Sequence, residues 1–332
     1  MIEAIQQLVR ATDAAIARVY LSLFRERNAL ISFLFHSLFR DESEIARNLI
    51  DPLQETTVAQ FRRLVEYYLE HGYRFVSPED LVNGLGPDGK YAVLTFDDGY
   101  FNNTLALPVL AEFGVPAVFF VSTDNVRQNK CFWWDVLYRE QASRGVSHRR
   151  IHREGIALKN RRTEEIEAEL TARFGPDAFT PRGDIDRPFT PDELRAFAAN
   201  PFVHLGNHTA NHAILTNYTA EQVRSQVVGA QEAIRSMTGV SPSLIAYPNG
   251  AHSRAILQTC GELGLKVGFT VRPEKNVVPL ASASPSLLRL GRFAPVGAAS
   301  IERQCRTYRS DVLLYGLFRD GYLRLHRGQA AR

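Results

Sequence analysis

Three short polar clusters, each directly after an apolar run, carry residue types suited to metal-assisted hydrolysis. The first is Thr95-Phe96-Asp97-Asp98-Gly99-Tyr100. Adjacent carboxylates repel each other, and burying either is costly unless a cation or hydrogen bonds compensate. Taken alone, Asp-Asp-Gly reads more readily as a turn than as a metal site. The second cluster, Leu205-Gly206-Asn207-His208-Thr209-Ala210-Asn211-His212, spaces two imidazoles four residues apart. If it coils into a helical turn, both rings lie on one face and can grip one divalent ion. With a strand-end carboxylate, His208 and His212 make the donor set of a two-histidine, one-carboxylate site that leaves positions for water and substrate. The third cluster is Tyr247-Pro248-Asn249-Gly250, either a plain turn or a turn whose backbone N–H, at or near Asn249, meets a developing oxyanion.

The elements that must position these clusters follow from periodicity. Tyr91–Phe96 and Ala117–Val121 are unbroken apolar runs of strand length, and Ala29–Phe35 is a third, ending in His36. Helical patterns occupy residues 2–24, 57–71, 103–113, 190–199, 219–237, 252–263 and 298–308. Further strands fall at 74–76, 202–205, 243–247, 267–271 and 287–293. Strand–helix alternation argues for a parallel sheet or barrel, and in such barrels reacting groups sit at the carboxyl ends of strands. The rhythm breaks between about residues 124 and 188, a mostly helical insertion too small for an independent core. No internal repeat or low-complexity segment is present. The expected division is an N-terminal amphipathic helix (1–28), a barrel (29–310) carrying the insertion, and a C-terminal tail (311–332).

Composition narrows the class. The 332 residues hold 39 Lys+Arg against 36 Asp+Glu, a net charge of +3, with 45% apolar residues. That balance excludes disorder and collagen-like chains and gives no reason to expect nucleic acid. Three cysteines, far apart and without CxxC spacing, suggest neither a disulfide framework nor a cysteine zinc site. The N-terminus, with Glu3 and Gln6, lacks the basic-then-apolar pattern of a signal peptide, and no run is long enough to span a bilayer. The expectation is a cytoplasmic protein with no transmembrane segment. Peripheral membrane contact through the first helix stays open, although its polar face is not rich in Lys/Arg.

Together the three clusters resemble the polysaccharide deacetylase family, the NodB-homology domain of carbohydrate esterase family 4. Thr95–Gly99 matches its TFDDG motif, His208–His212 its H(S/T)xxH motif, and Tyr247–Gly250 a looser form of its third motif. Order and spacing agree, and the resemblance covers roughly residues 29–310. It implies an α/β fold, a distorted (β/α)7-type barrel, with a divalent metal, commonly Zn2+, held by Asp98, His208 and His212. Asp97 would be the general base, Asn249 would supply the oxyanion amide beside Tyr247, and Thr209 would orient the histidine turn. The implied reaction is hydrolysis of the N-acetyl (or N-formyl) amide of an amino sugar.

The sequence departs from the family pattern twice. A late Leu-x-His motif, which often supplies the acid for amine expulsion, is missing between Val267 and Pro295; Leu323–His326 fits only superficially. His36 is the better candidate, because the first and last strands of a closed barrel are neighbours. The arginine that often accompanies the third motif is also absent, with Ile245-Ala246 in its neighbourhood. Arg292, at the end of a late apolar run, either holds Asp97 ionised from the other side or lies on the surface. Phe132-Trp133-Trp134-Asp135 offers flat faces, Trp134 among them, that either wall a sugar site or anchor the insertion. The implied substrate is an amino-sugar glycan or its lipid- or nucleotide-linked precursor. A non-sugar amide hydrolase and a carbohydrate-binding pseudo-enzyme are the alternatives.

Overall fold

A computed structural model describes residues 2–52 and 55–312, with backbone alone for residues 2–10. Its strands are β1 Ala29–Phe35, β2 Arg74–Phe75, β3 Gly84–Leu85, β4 Tyr91–Phe96, β5 Ala117–Val121, β6 Val203–Asn207, β7 Leu244–Ala246, β8 Val267–Phe269, β9 Asn276–Val277 and β10 Leu280–Ala281. Seven of them form one curled sheet in the order β8-β7-β6-β5-β4-β1-β9, with β2 added beside β4. All neighbours are parallel except β9, which runs antiparallel to β1, and the minor β3–β10 pair. The fold is therefore the α/β architecture expected, drawn as a curled half-barrel.

Strand parity decides what faces the interior. In β4, Ala92, Leu94 and Phe96 pack outward among Phe61, Leu110 and Phe119, while Val93 packs inward with Val118, Phe120, Leu244 and Phe269. The two-residue period then puts Thr95 and Asp97 inside. The outer layer is tied by aromatic stacking, with Phe96 between Phe35 and Phe119 at ring separations of 5.2 and 4.8 Å. Outer helices begin where the sequence places their caps. Thr57, Thr190 and Thr219 each make a capping box with a Gln or Glu three residues later.

One expected strand is absent. Residues 285–289 form a 3-10 turn, and Leu290 and Phe293 make isolated bridges to Phe269 and Phe33. The cause is local. The Gly291 N–H donates to Asn276 Oδ1 (2.8 Å) and the Arg292 N–H to the Arg272 carbonyl (2.8 Å), so neither is free for a ladder. Even so, this segment closes the gap in the half-barrel. Leu290 N–H donates to Gly268 O of β8, and Phe293 N–H to Ser32 O of β1, each at 2.8 Å.

The insertion contains helices Thr123–Gln128, Trp133–Ala142, His148–Leu158 and Thr163–Phe174. It has its own apolar cluster, including Trp133, Leu137, Ile151 and Leu170. The helix Ile2–Leu23 lies against Ile301–Arg309, with Tyr20 Oη donating to Asp311 (2.9 Å). Beyond its end, the buried Glu26 carboxylate receives Arg309, Lys90 (2.8 Å) and the Tyr73 hydroxyl (2.6 Å). Among the described residues no helix is long and apolar enough to cross a membrane. Leu323–His326 lies outside the described residues.

Candidate active site

The ends of β4, β6 and β7 deliver the three clusters to one cleft of about 790 Å³. Its wall includes Asp97, Asp98, His208, His212, Asn249 and Arg292, together with His36 and Trp134. Asp97 continues the inward parity of β4, and its N–H is fixed to the Phe35 carbonyl of β1 at 2.8 Å. Alternation would turn Asp98 outward. A left-handed backbone at Asp98 (φ 76°) breaks the alternation, so both carboxylates reach the same cleft. Gly99 follows, also left-handed at φ 88°, with a position for a Cβ only 3.2 Å from Val121.

The histidine segment brings its two rings together without the helical turn considered for it. Residues 208–214 are an irregular loop with left-handed backbone at Thr209 (φ 65°) and His212 (φ 54°). Side chains replace the missing helical ladder. Asn207 Oδ1 accepts the Thr209 N–H (2.8 Å), Thr209 Oγ1 accepts the Ala213 N–H (2.7 Å), and Gln226 Oε1 accepts those of Ala210 and Asn211. Asn249 is left-handed as well (φ 57°). Non-glycine residues in this region cost about 1–3 kcal/mol each and persist where the surroundings over-determine them. Each of the three motif turns contains at least one.

Asp98 Oδ1 lies 3.2 Å from His208 Nε2 and 3.4 Å from His212 Nε2. It is buried and has no hydrogen-bond partner. His208 Nδ1 is 2.7 Å from the Ala246 carbonyl, which fixes the proton there and leaves Nε2 as the lone-pair donor. Two ligands bound tetrahedrally at about 2.0–2.1 Å stand about 3.3 Å apart. The unpartnered oxygen and the two nitrogens therefore fit a divalent cation. Burial pushes His212 down to about 3, keeping the ring neutral despite Asp98. Burial alone would raise Asp98, but His208, His36 and His212 bring it to about 2.

Asp97 is held differently. Arg292, fully buried, donates from both terminal nitrogens to the two Asp97 oxygens at 2.7 Å each. The same guanidinium reaches Thr95 Oγ1 (2.9 Å) and the Thr270 carbonyl (3.0 Å). Burial pushes the Asp97 carboxyl up. Arg292, with His208 and His36, more than reverses this and holds it below its usual range. Of the two readings of Arg292, the surface one is excluded. His36 lies at the end of β1 on the cleft wall, with its backbone carbonyl fixed by Asn103 Nδ2 at 2.6 Å.

Trp134 lines the cleft, its ring 4.5 Å from that of His212 and stacked on Phe132. Its indole N–H donates to Tyr100 Oη (2.9 Å), which donates to the buried Asp135 carboxyl (2.6 Å). It thus both walls the cleft and ties the insertion to it. Tyr247 is not brought to the cleft. Its ring is fully buried and its hydroxyl donates to the Leu288 carbonyl (2.9 Å), anchoring the turn from below.

Sequence reasoning missed Tyr100, Asp135 and Lys159. Tyr100 and Asp135 stand inside runs already singled out, but the hydrogen bonds from Trp134 to Tyr100 and from Tyr100 to Asp135 are not readable there. Lys159 follows the helix His148–Leu158 with no motif around it, yet its ammonium reaches Asn249 Oδ1 at 3.2 Å.

Residues 85–268 match the family model for polysaccharide deacetylase, more than half of the chain. The curated protein YxkH of Bacillus subtilis (strain 168), assigned by its name to the polysaccharide deacetylases, is 21% identical over 219 residues. That match spans 64% of this chain and 58% of YxkH, so the chain accounts for little more than half of that relative's length. Among solved structures, the Streptococcus pyogenes deacetylase PplD in complex with acetate superposes with a TM-score of 0.56 at 19% identity, covering 85% of this chain and 99% of PplD. BC0361, a polysaccharide deacetylase from Bacillus cereus, gives 0.58 at 16% identity over 85% and 69% of the two chains. IcaB from Ammonifex degensii gives 0.56 at 15% identity over 86% and 99%. At these identities the superpositions establish a shared fold.

Proposed function

The chain belongs to the polysaccharide deacetylase family, and on that premise we propose that it hydrolyses the N-acetyl (or N-formyl) amide of an amino sugar. The observation that carries this reading is the convergence of Asp98, His208 and His212 beside an Asp97 held by Arg292. These residues would hold a divalent metal, Zn2+ being favoured by the nitrogen-rich donor set. When bound, such an ion polarises a carbonyl oxygen and acidifies water.

The protein's own groups do the rest. Asp97 still has lone pairs to accept a proton, since Arg292 engages each oxygen only once. Held ionised by that guanidinium, it would be a weak base, matched to a proton donor more acidic than bulk water. The turn at Asn249 offers its backbone N–H to the oxyanion. His36, on the same cleft wall, donates the proton that lets the amine leave. Trp134 provides an apolar face against which a pyranose ring can lie.

Acetate release from N-acetylated oligosaccharides tests the proposal, with EDTA treatment and zinc restoration as the paired control. Release that EDTA abolishes and zinc restores is the expected result. Saturable glycan binding without any release would instead identify a carbohydrate-binding pseudo-enzyme. Release only from non-sugar amides would move the substrate class.

A further inference from the structure

We propose that Lys159 is a specificity residue that binds an anionic group, carboxylate or phosphate, on the substrate next to the reacting acetamido group. The inference rests on the deacetylase reading above. Lys159 belongs to the helical insertion rather than to the barrel, and its side chain lines the cleft wall. Its ammonium makes one hydrogen bond, to Asn249 Oδ1 at 3.2 Å, and among the described residues no carboxylate pairs with it within 4.0 Å. An amide oxygen satisfies one of three donors and none of the charge. The other deep cation of the cleft, Arg292, is fully engaged by Asp97. Of these two, Lys159 therefore keeps its charge for a ligand.

Position adds to the argument. Asn249, the left-handed residue of the β7 turn, lines the same cleft as the metal-ligand cluster, and the ammonium on its side chain is close enough for its charge to act on His212. Asp98 and Asp51 are near enough for their charges to act on it. A lysine placed this way discriminates by charge. A neutral glycan would leave the ammonium with the Asn249 amide and water, whereas an anionic one would replace that water with a charge-assisted hydrogen bond.

Three probes decide it: chitin tetrasaccharide (neutral), hyaluronan tetrasaccharide (carboxylate on alternate sugars) and N-acetylglucosamine 1-phosphate. Wild type should deacetylate one of the two anionic probes in preference to the neutral one. Preference for the hyaluronan probe places the anion on a neighbouring sugar, and preference for the phosphate places it at the anomeric position. Lys159→Met should lower kcat/KM on the preferred anionic probe by about thirtyfold, through KM, and on the neutral probe by less than about threefold. Lys159→Arg should keep the preference and Lys159→Glu should reverse it. Equal losses in kcat on charged and neutral probes would make Lys159 a positioning residue for Asn249 and overturn the proposal, as would no loss on either. Calorimetric titration of both anionic probes needs no turnover. If neither binds, or wild type and Lys159→Met bind them alike, the proposal fails. Lys159-dependent binding with no acetate release from any probe would overturn the deacetylase reading alone.

Discussion

Arg292 and Asp97, 195 residues apart in sequence, meet through two parallel hydrogen bonds of 2.7 Å in the barrel interior. The pair is fully buried, so removing one partner leaves an uncompensated charge rather than a vacant hydrogen-bond site.

Arg292→Met should therefore destabilise the fold by about 3–5 kcal/mol, read from the urea midpoint. Asp97→Asn combined with Arg292→Met removes both charges and should recover more than half of that loss while remaining inactive. Failure of the double variant to recover stability would show that the arginine acts through packing on Phe120 and Phe269 rather than through charge.

The metal reading makes a prediction independent of turnover. Protein loaded with zinc and desalted should retain about one ion per chain, measured by atomic emission, from one Asp and two His ligands. Asp98→Asn and His212→Ala should each retain far less. Asp97→Asn should still bind zinc, since Asp97 lies outside the ligand set, but its kcat should fall by about 10²–10⁴-fold. Equal zinc in wild type and His212→Ala would exclude this site.

His36 is proposed to protonate the departing amine, so its effect should depend on the leaving group. His36→Ala should lower kcat on an N-acetyl sugar by about 10²–10⁴-fold. On 4-nitrophenyl acetate, whose phenolate leaves without protonation, the loss should be under about tenfold. Equal losses on both substrates would assign His36 to substrate binding or to the structure of the β1 end.

Glu26 gives a pH signature of stability. Burial raises its carboxyl, but Arg309, Lys90 and the Tyr73 hydroxyl outweigh that and bring it from 4.5 to about 2. A depressed folded value means the contribution is present above the unfolded value and fades as pH falls from about 4.5 to about 2. After allowance for partial solvent screening, it should amount to about 1–2 kcal/mol at pH 7. Glu26→Gln should lower the urea midpoint at pH 7, and the gap from wild type should shrink steadily between pH 4.5 and pH 2. A gap that persists at pH 2 would trace the stabilisation to packing.

Much of this arrangement was legible in the sequence. Unbroken apolar runs gave β4 and β5 to the residue, because a strand buried on both faces has no polar face to blur its ends. The two histidines were readable by spacing, but their conformation was not. A helical turn and a loop with left-handed Thr209 and His212 both bring residues four apart together, and the choice rests on Asn207 and Gln226, which no local pattern reveals. The run 287–293 has the apolar content of a strand, yet Asn276 and Arg272 capture its backbone from a distance. Tyr247 stood inside a motif and faced the core instead, since an aromatic after a strand can serve either side of the sheet. Lys159 was invisible for the opposite reason: the insertion delivers it from a helix end whose neighbours carry no pattern.

The segment that completes the barrel is also the one that carries Arg292. Leu290 and Phe293 fasten β8 to β1, and Arg292 lies between them in the chain, on the same segment. The segment that encloses the chamber is thus the one that holds a guanidinium against Asp97. A substitution that loosens this seam should therefore release the clamp on Asp97 while leaving Asp98, His208 and His212, which β4 and β6 deliver, where they are.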